Sequence, residues 1–136
     1  VCGFFSMTPT QMKSRTKQFA LRAIKLVDAL PETKSAEVIG RPLLRCSTSV
    51  AANYRAACRA RSNAEFSAKL GIVEEEADES CFWLEMLVEA ELMPEAKLQS
   101  LRDEADELTA IVVASIKTAR QAAKNPKSPI RNPKSK

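Results

Sequence analysis

The chain has 136 residues, enough for one domain with a real core, and it is 45% hydrophobic but only 5% aromatic. Glycine is scarce while Ala, Leu, Glu, Lys and Arg abound, which favours helix, and no run nears the roughly twenty apolar residues that a membrane helix needs. The net charge of +4 hides opposed blocks: residues 1–63 carry eleven bases and three acids, 64–108 carry three and fourteen, and 109–136 carry seven and none. Such blocks suggest that basic and acidic helices pair, within or between subunits, and argue against a uniformly basic nucleic-acid binder.

Residues 1–9 read as a flexible N-terminal extension; VCGFFSM lacks the basic start and cleavage pattern of a signal peptide. The first helix is expected from about Thr10 to Leu30, capped by Thr8 or Thr10, started by Pro9 and ended by Pro31. Met12, Thr16, Phe19, Ala23, Val27 and Leu30 make its core stripe, leaving Lys13, Arg15, Lys17, Arg22 and Lys25 to solvent.

The second helix is expected from about Ser35 to Ala60. Pro42 lies inside it, which predicts a kink or a restart between Val38 and Pro42. Ile39, Leu43, Cys46, Val50, Asn53 and Ala57 follow a four-three rhythm on one face. Asn53 falls in this core register, so its amide must find partners. Arg41, Arg45, Thr48, Ala52, Arg55 and Arg59 share the opposite face, either as a solvated charged surface or as a ridge for an anion or a partner.

Ser62-Asn63-Ala64-Glu65 fits a capping box that opens a third helix, running to about Ala90. Phe66, Leu70, Val73, Ala77, Cys81, Leu84 and Val88 form its core face. Ile72, Trp83, Met86 and Leu87 fall away from that face, and a second apolar surface of this kind usually marks an oligomer interface. Glu75 and Glu79 stand one turn apart, as metal-binding carboxylates often do. Carboxylate di-metal bundles, however, use Glu-x-x-His pairs and this chain has no histidine, so no metal or other cofactor is expected and pairing with the arginine helix is favoured.

A fourth helix starts at Pro94, with Leu98, Leu101, Ala105, Leu108, Val112 and Ala119 along its core and with acids early and bases late, as the macrodipole prefers. Residues 124–136, KNPKSPIRNPKSK, read as a disordered basic tail, either solubilising or weakly phosphate-binding. Cys2, Cys46, Cys58 and Cys81 form no CxxC pair, and three lie at apolar helical positions, as buried thiols in a reducing cytoplasm do. Residues 10–123 thus make one all-α domain, an antiparallel up-down-up-down four-helix bundle.

The segment IGRPLLRCSTSVAANYRAACRARSNAEFSAKLGIVEEEADESCFWLEML resembles the small bacterial four helix bundle protein family. Some members of that family are encoded by intervening sequences of large-subunit ribosomal RNA genes. The family is similar to the accessory variability protein of diversity-generating retroelements. The likeness extends from Met7 to about Ala122. It implies a four-helix bundle assembling into a ring-shaped homopentamer, with no known enzymatic activity; for the retroelement relative it implies binding to nucleic acid and to a reverse transcriptase. Onto this chain the motif carries Arg45, Ser49, Asn53, Tyr54, Arg55, Glu65, Phe66, Glu75 and Glu79 as family-typical residues. Pro42 departs from the pattern, where a residue such as Gln is expected.

Three functions follow as expectations. The first is a self-assembling scaffold that binds RNA or single-stranded nucleic acid, with Lys13, Arg15, Lys17, Arg41, Arg45, Arg55, Arg59 and Arg61 as candidate contacts, since guanidinium forks suit phosphate. The second is a ring that docks a protein partner such as a reverse transcriptase, its arginines meeting acidic helices. The third, an enzyme, lacks support: the chain has no histidine for general-base work and no phosphate-cradling glycine motif.

Overall fold

The computed structural model describes residues 7–124, so the basic tail after Lys124 and most of the N-terminal extension lie outside the described residues. Four helices make up the fold: α1 (Pro9–Asp28), α2 (Lys34–Ala57), α3 (Asn63–Glu89) and α4 (Glu95–Lys124). Each connection spans five residues, 29–33, 58–62 and 90–94. Links this short force successive helices to lie antiparallel. Each helix packs against its sequence neighbours, and α1 closes the bundle through a shallower seam with α4.

Side-chain caps start three of the helices. Thr8 Oγ1 accepts from the Gln11 amide while Gln11 Oε1 accepts from the Thr8 amide, a complete capping box with Pro9 in the first turn. Thr8 therefore begins the bundle, and Met7 packs against its core, so residues 7–9 are not part of a loose extension. Thr33 caps α2 through the Ala36 amide. Ser62 caps α3 through the Glu65 amide, but the return bond expected of a capping box is displaced: Glu65 Oε1 accepts from the Arg61 amide, one residue upstream. α3 ends in a Schellman turn, with Leu92 N–H bonded to Leu87 C=O and Glu91 N–H to Val88 C=O.

Glu91 holds that turn at φ 59°, the left-handed region that costs a side-chain-bearing residue about 1 kcal/mol or more. Glu91→Gly is accordingly expected to raise the stability by about 1 kcal/mol, read from the urea midpoint. Gly71 offers a second gain. A Cβ built there meets nothing within 4 Å, so Gly71→Ala should add about 1 kcal/mol of helix propensity. At Gly40 the same change brings the methyl to 3.1 Å from Val27 Cγ1, and the crowding offsets the gain.

α2 runs unbroken through Pro42, so the helix does not restart there. The ring removes the amide that would bond the Val38 carbonyl. Val38 is 66% exposed, which leaves that carbonyl within reach of water. Burial of Leu43, Cys46 and Val50, all fully excluded from solvent, holds the following turns in helix despite the local cost.

One core runs the length of the bundle, from Met12 and Phe19 on α1 through Leu43 and Val50, Leu70 and Leu84, to Leu101, Leu108 and Val112. Cys46, Cys58 and Cys81 are buried. Burial pushes the Cys46 thiol up, although Ser80 Oγ donates to its sulfur at 3.2 Å. Burial, and then the Asp106 carboxylate that accepts from it, push Cys81 up to about 12. Both thiols are protonated at neutral pH and are therefore poor nucleophiles. Among the described residues, no helix is long and apolar enough to cross a membrane.

Candidate nucleic-acid interface

Once the helices are packed, the eight basic candidates separate into three that pair with acids, four that share a groove, and Arg61. Arg15 on α1 is half-buried against α4. Its Nε and one Nη meet both oxygens of Glu104 at 2.6 and 2.9 Å, and Glu107 pairs with it as well. These carboxylates, Glu104 first, raise its pKa further and hold the guanidinium fully charged. Arg45 on α2 reaches across to α3, pairing with Glu76 at 3.2 Å and with Glu79 at 2.5 Å. Glu79 also accepts from the Trp83 indole N–H at 3.1 Å, and Arg45, followed by that indole, holds its carboxyl below the ordinary value. Arg41 pairs with Glu37 one turn back at 2.7 Å. Half of the expected arginine ridge is thus neutralised within the chain. Arg61 sits in the turn before α3, apart from the ridge.

The remaining four converge. Lys13 and Lys17 of α1, with Arg55 at the end of α2 and Arg59 just beyond it, line an open groove of about 780 Å³ between the two helices. Pro9, Thr10, Ser14, Ala51 and Cys58 complete its wall, and no carboxylate is among the lining residues. All four cations are exposed, and among the described residues none of them takes part in an ion pair.

The local sequence explains the convergence. Each cation directly follows a buried residue: Met12 before Lys13, Thr16 before Lys17, Tyr54 before Arg55, Cys58 before Arg59. One residue turns a helix by about 100°, so on α1 and α2 a side chain next to a core residue emerges at the rim of the helix seam. The four-residue spacing then stacks Lys13 and Lys17 about 6 Å apart along the α1 axis. The first turn of α1 contains no acid, so no carboxylate offsets the positive end of its dipole at the mouth of the groove. The carbonyl end of α2 on the facing wall counters part of that field.

The expected second apolar surface of α3 is present in part. Ile72 is 36% exposed, and Trp83 and Met86 are half-buried. Leu87 is fully buried: it lies three residues after Leu84, on the core stripe, and so is unavailable to a partner. Phe82 takes its place at the surface, 50% exposed, with its ring edge-on to Trp83 at 4.8 Å between centroids. Its signal was visible in the sequence: Phe82 directly follows the core residue Cys81, which turns it off the buried stripe.

The family-typical polar residues do not gather into one site. Asn53 satisfies its amide on its own helix, donating to Ser49 Oγ at 2.8 Å and to Ser49 C=O at 3.0 Å. Glu65 serves the α3 cap, Glu79 holds Arg45, and Glu75 is exposed beside them. Among the described residues, no group of acids and thiols is arranged to hold a metal ion.

A solved structure from Bacteroides thetaiotaomicron, a protein of unknown function from the S23 ribosomal protein family, superposes with a TM-score of 0.75 at 31% identity, covering 80% of this chain and 97% of its own. The comparison with curated proteins gives no match. Residues 10–114, comprising α1, α2, α3 and most of α4, match the family model of the 23S rRNA-intervening sequence protein. With the fold and the sequence likeness in agreement, the chain belongs to the 23S rRNA-intervening sequence protein family.

Proposed function

We propose that this protein is a non-enzymatic, self-assembling scaffold that binds RNA or another single-stranded nucleic acid through the groove between α1 and α2. The observation that carries this reading is the convergence of Lys13, Lys17, Arg55 and Arg59 on one groove without a carboxylate in its wall. Arg15, Arg41, Arg45 and Arg102 are matched by acids; in the groove the positive charge is left for an outside anion. Self-assembly uses the exposed side of α3 around Ile72, Phe82, Trp83 and Met86, and the likeness to ring-forming relatives sets five as the expected number of copies. A ring repeats the groove around its circumference, so that weak contacts add by avidity. The protein acts in the cytoplasm, where its buried thiols stay reduced.

A second reading is a ring that docks a protein partner, such as a reverse transcriptase, without touching nucleic acid. The pairing of Arg15 and Arg45 with carboxylates of neighbouring helices supports it, because these guanidiniums already lie against acidic helix faces. Light scattering after size exclusion, with and without a short RNA at low and moderate salt, separates the two. An oligomer near five chain masses that grows with RNA only at low salt supports the scaffold. An oligomer that ignores RNA at every salt supports the docking ring, and a monomer removes the assembly step from both.

A further inference from the structure

We infer that the α1–α2 groove reads only the phosphate backbone of its ligand and none of its bases, so that it accepts any linear chain of phosphates, inorganic polyphosphate included. This rests on the reading of the groove as the nucleic-acid site and specifies what that site recognises.

The lining residues carry the argument. Single-strand binders hold bases mainly by stacking them on aromatic rings, and sequence readers use Asn or Gln amides for adenine and Arg or Lys for guanine where the cation is not already engaged by phosphate. Among the described residues the groove has neither an aromatic ring nor an amide side chain: its polar side-chain groups include two ammoniums, two guanidiniums and the hydroxyls of Thr10 and Ser14. The surface aromatic pair, Phe82 and Trp83, belongs to α3 and lines no part of the groove. Tyr54, the aromatic residue nearest in sequence, is buried in the core.

What the groove does offer suits phosphate. Each guanidinium can donate two parallel bonds to one phosphate, each ammonium supplies a compact charge, and a hydroxyl can donate to a third oxygen. On the α1 wall Lys13 and Lys17 stand about 6 Å apart along the axis, a spacing comparable with that of neighbouring phosphates on one strand. Arg55 at the end of α2 and Arg59 in the turn beyond it supply the cations of the facing wall. A strand lying along the groove is therefore gripped from both sides at successive phosphates, while its bases face solvent. Affinity then follows the number of phosphates and is indifferent to sequence.

The test is fluorescence anisotropy of a labelled single-stranded RNA on the full chain at low salt, with three unlabelled competitors of matched phosphate number. These are the same RNA, a strand lacking all its bases, and inorganic polyphosphate. The expected result is displacement by all three within about threefold of one another, since even one stacked base would favour the RNA by about fivefold or more. A second expected result is that Lys13→Gln/Lys17→Gln and Arg55→Gln/Arg59→Gln weaken labelled RNA and labelled polyphosphate in the same proportion. All four side chains are exposed, so these variants are expected to fold, as circular dichroism will verify. If RNA binds but the base-free strand and polyphosphate compete more than tenfold less well, base recognition is present and the inference is overturned while the nucleic-acid reading stands. If RNA does not bind at all, the nucleic-acid reading fails and the inference goes with it. If all three ligands bind the Gln variants as well as the parent chain, the phosphate site lies elsewhere and the inference is likewise overturned.

Discussion

Leu87→Ala is expected to cost about 2–5 kcal/mol, the range for removing three carbons from a packed core, and to lower the urea midpoint without a change of slope. Leu87 is wholly excluded from solvent, and its carbonyl also receives the Leu92 amide in the turn that ends α3. The surrounding side chains of α3 and α4 are locked by their own packing and cannot fully close the space, so a cavity term adds to the lost transfer energy. Phe82→Ala supplies the contrast. Phe82 is 50% exposed, and within one chain its loss should change stability by less than about 1 kcal/mol. Its effect is expected instead on the subunit count at micromolar concentration. If Leu87→Ala were as mild as Phe82→Ala, the inward orientation of this part of α3 would be wrong.

Reversing all four groove cations, Lys13→Glu, Lys17→Glu, Arg55→Glu and Arg59→Glu, is expected to remove RNA binding at low salt, a loss of at least about a hundredfold. If the groove neutralises four phosphates, log affinity should fall with log salt at a slope of about −2.8 for a single strand. A fourfold rise in salt then weakens the parent chain by about fiftyfold. Arg41→Ala is the control: that guanidinium already faces Glu37 and lies outside the groove, so affinity and slope should change little. Light scattering on the reversed variant reports its assembly in parallel. An intact oligomer that no longer binds RNA assigns the four cations to the nucleic acid. Dissociation of the oligomer assigns them to contacts between subunits.

Periodicity made the four helices and most of their buried faces legible, because a four-three repeat of apolar residues has few other ways to bury itself. Caps were legible for the same local reason: Thr8 and Ser62 act on amides three residues away, within the span that a short sequence pattern describes. The limits were local as well. The Glu65 side chain bonds the Arg61 amide instead of that of Ser62, a choice made by the conformation of the turn. Pro42 remains inside a continuous α2 because core contacts on the following turns outweigh a penalty that the sequence shows without its compensation.

At the candidate site, residue order alone sets which positions are cationic and, for those within helices, that they turn away from the core stripe. It did not determine which of them stay unpaired. That depends on what faces each one across a seam: Arg15 meets Glu104 from 89 residues away, and Arg45 meets Glu76 from 31 away. A helical wheel places Arg45 and Arg55 in one row, yet packing sets the first against the acids of α3 and the second beside the lysines of α1. Coulomb interactions act through space and fall off with distance and screening, so the charge left over for a ligand is decided only when the helices are side by side.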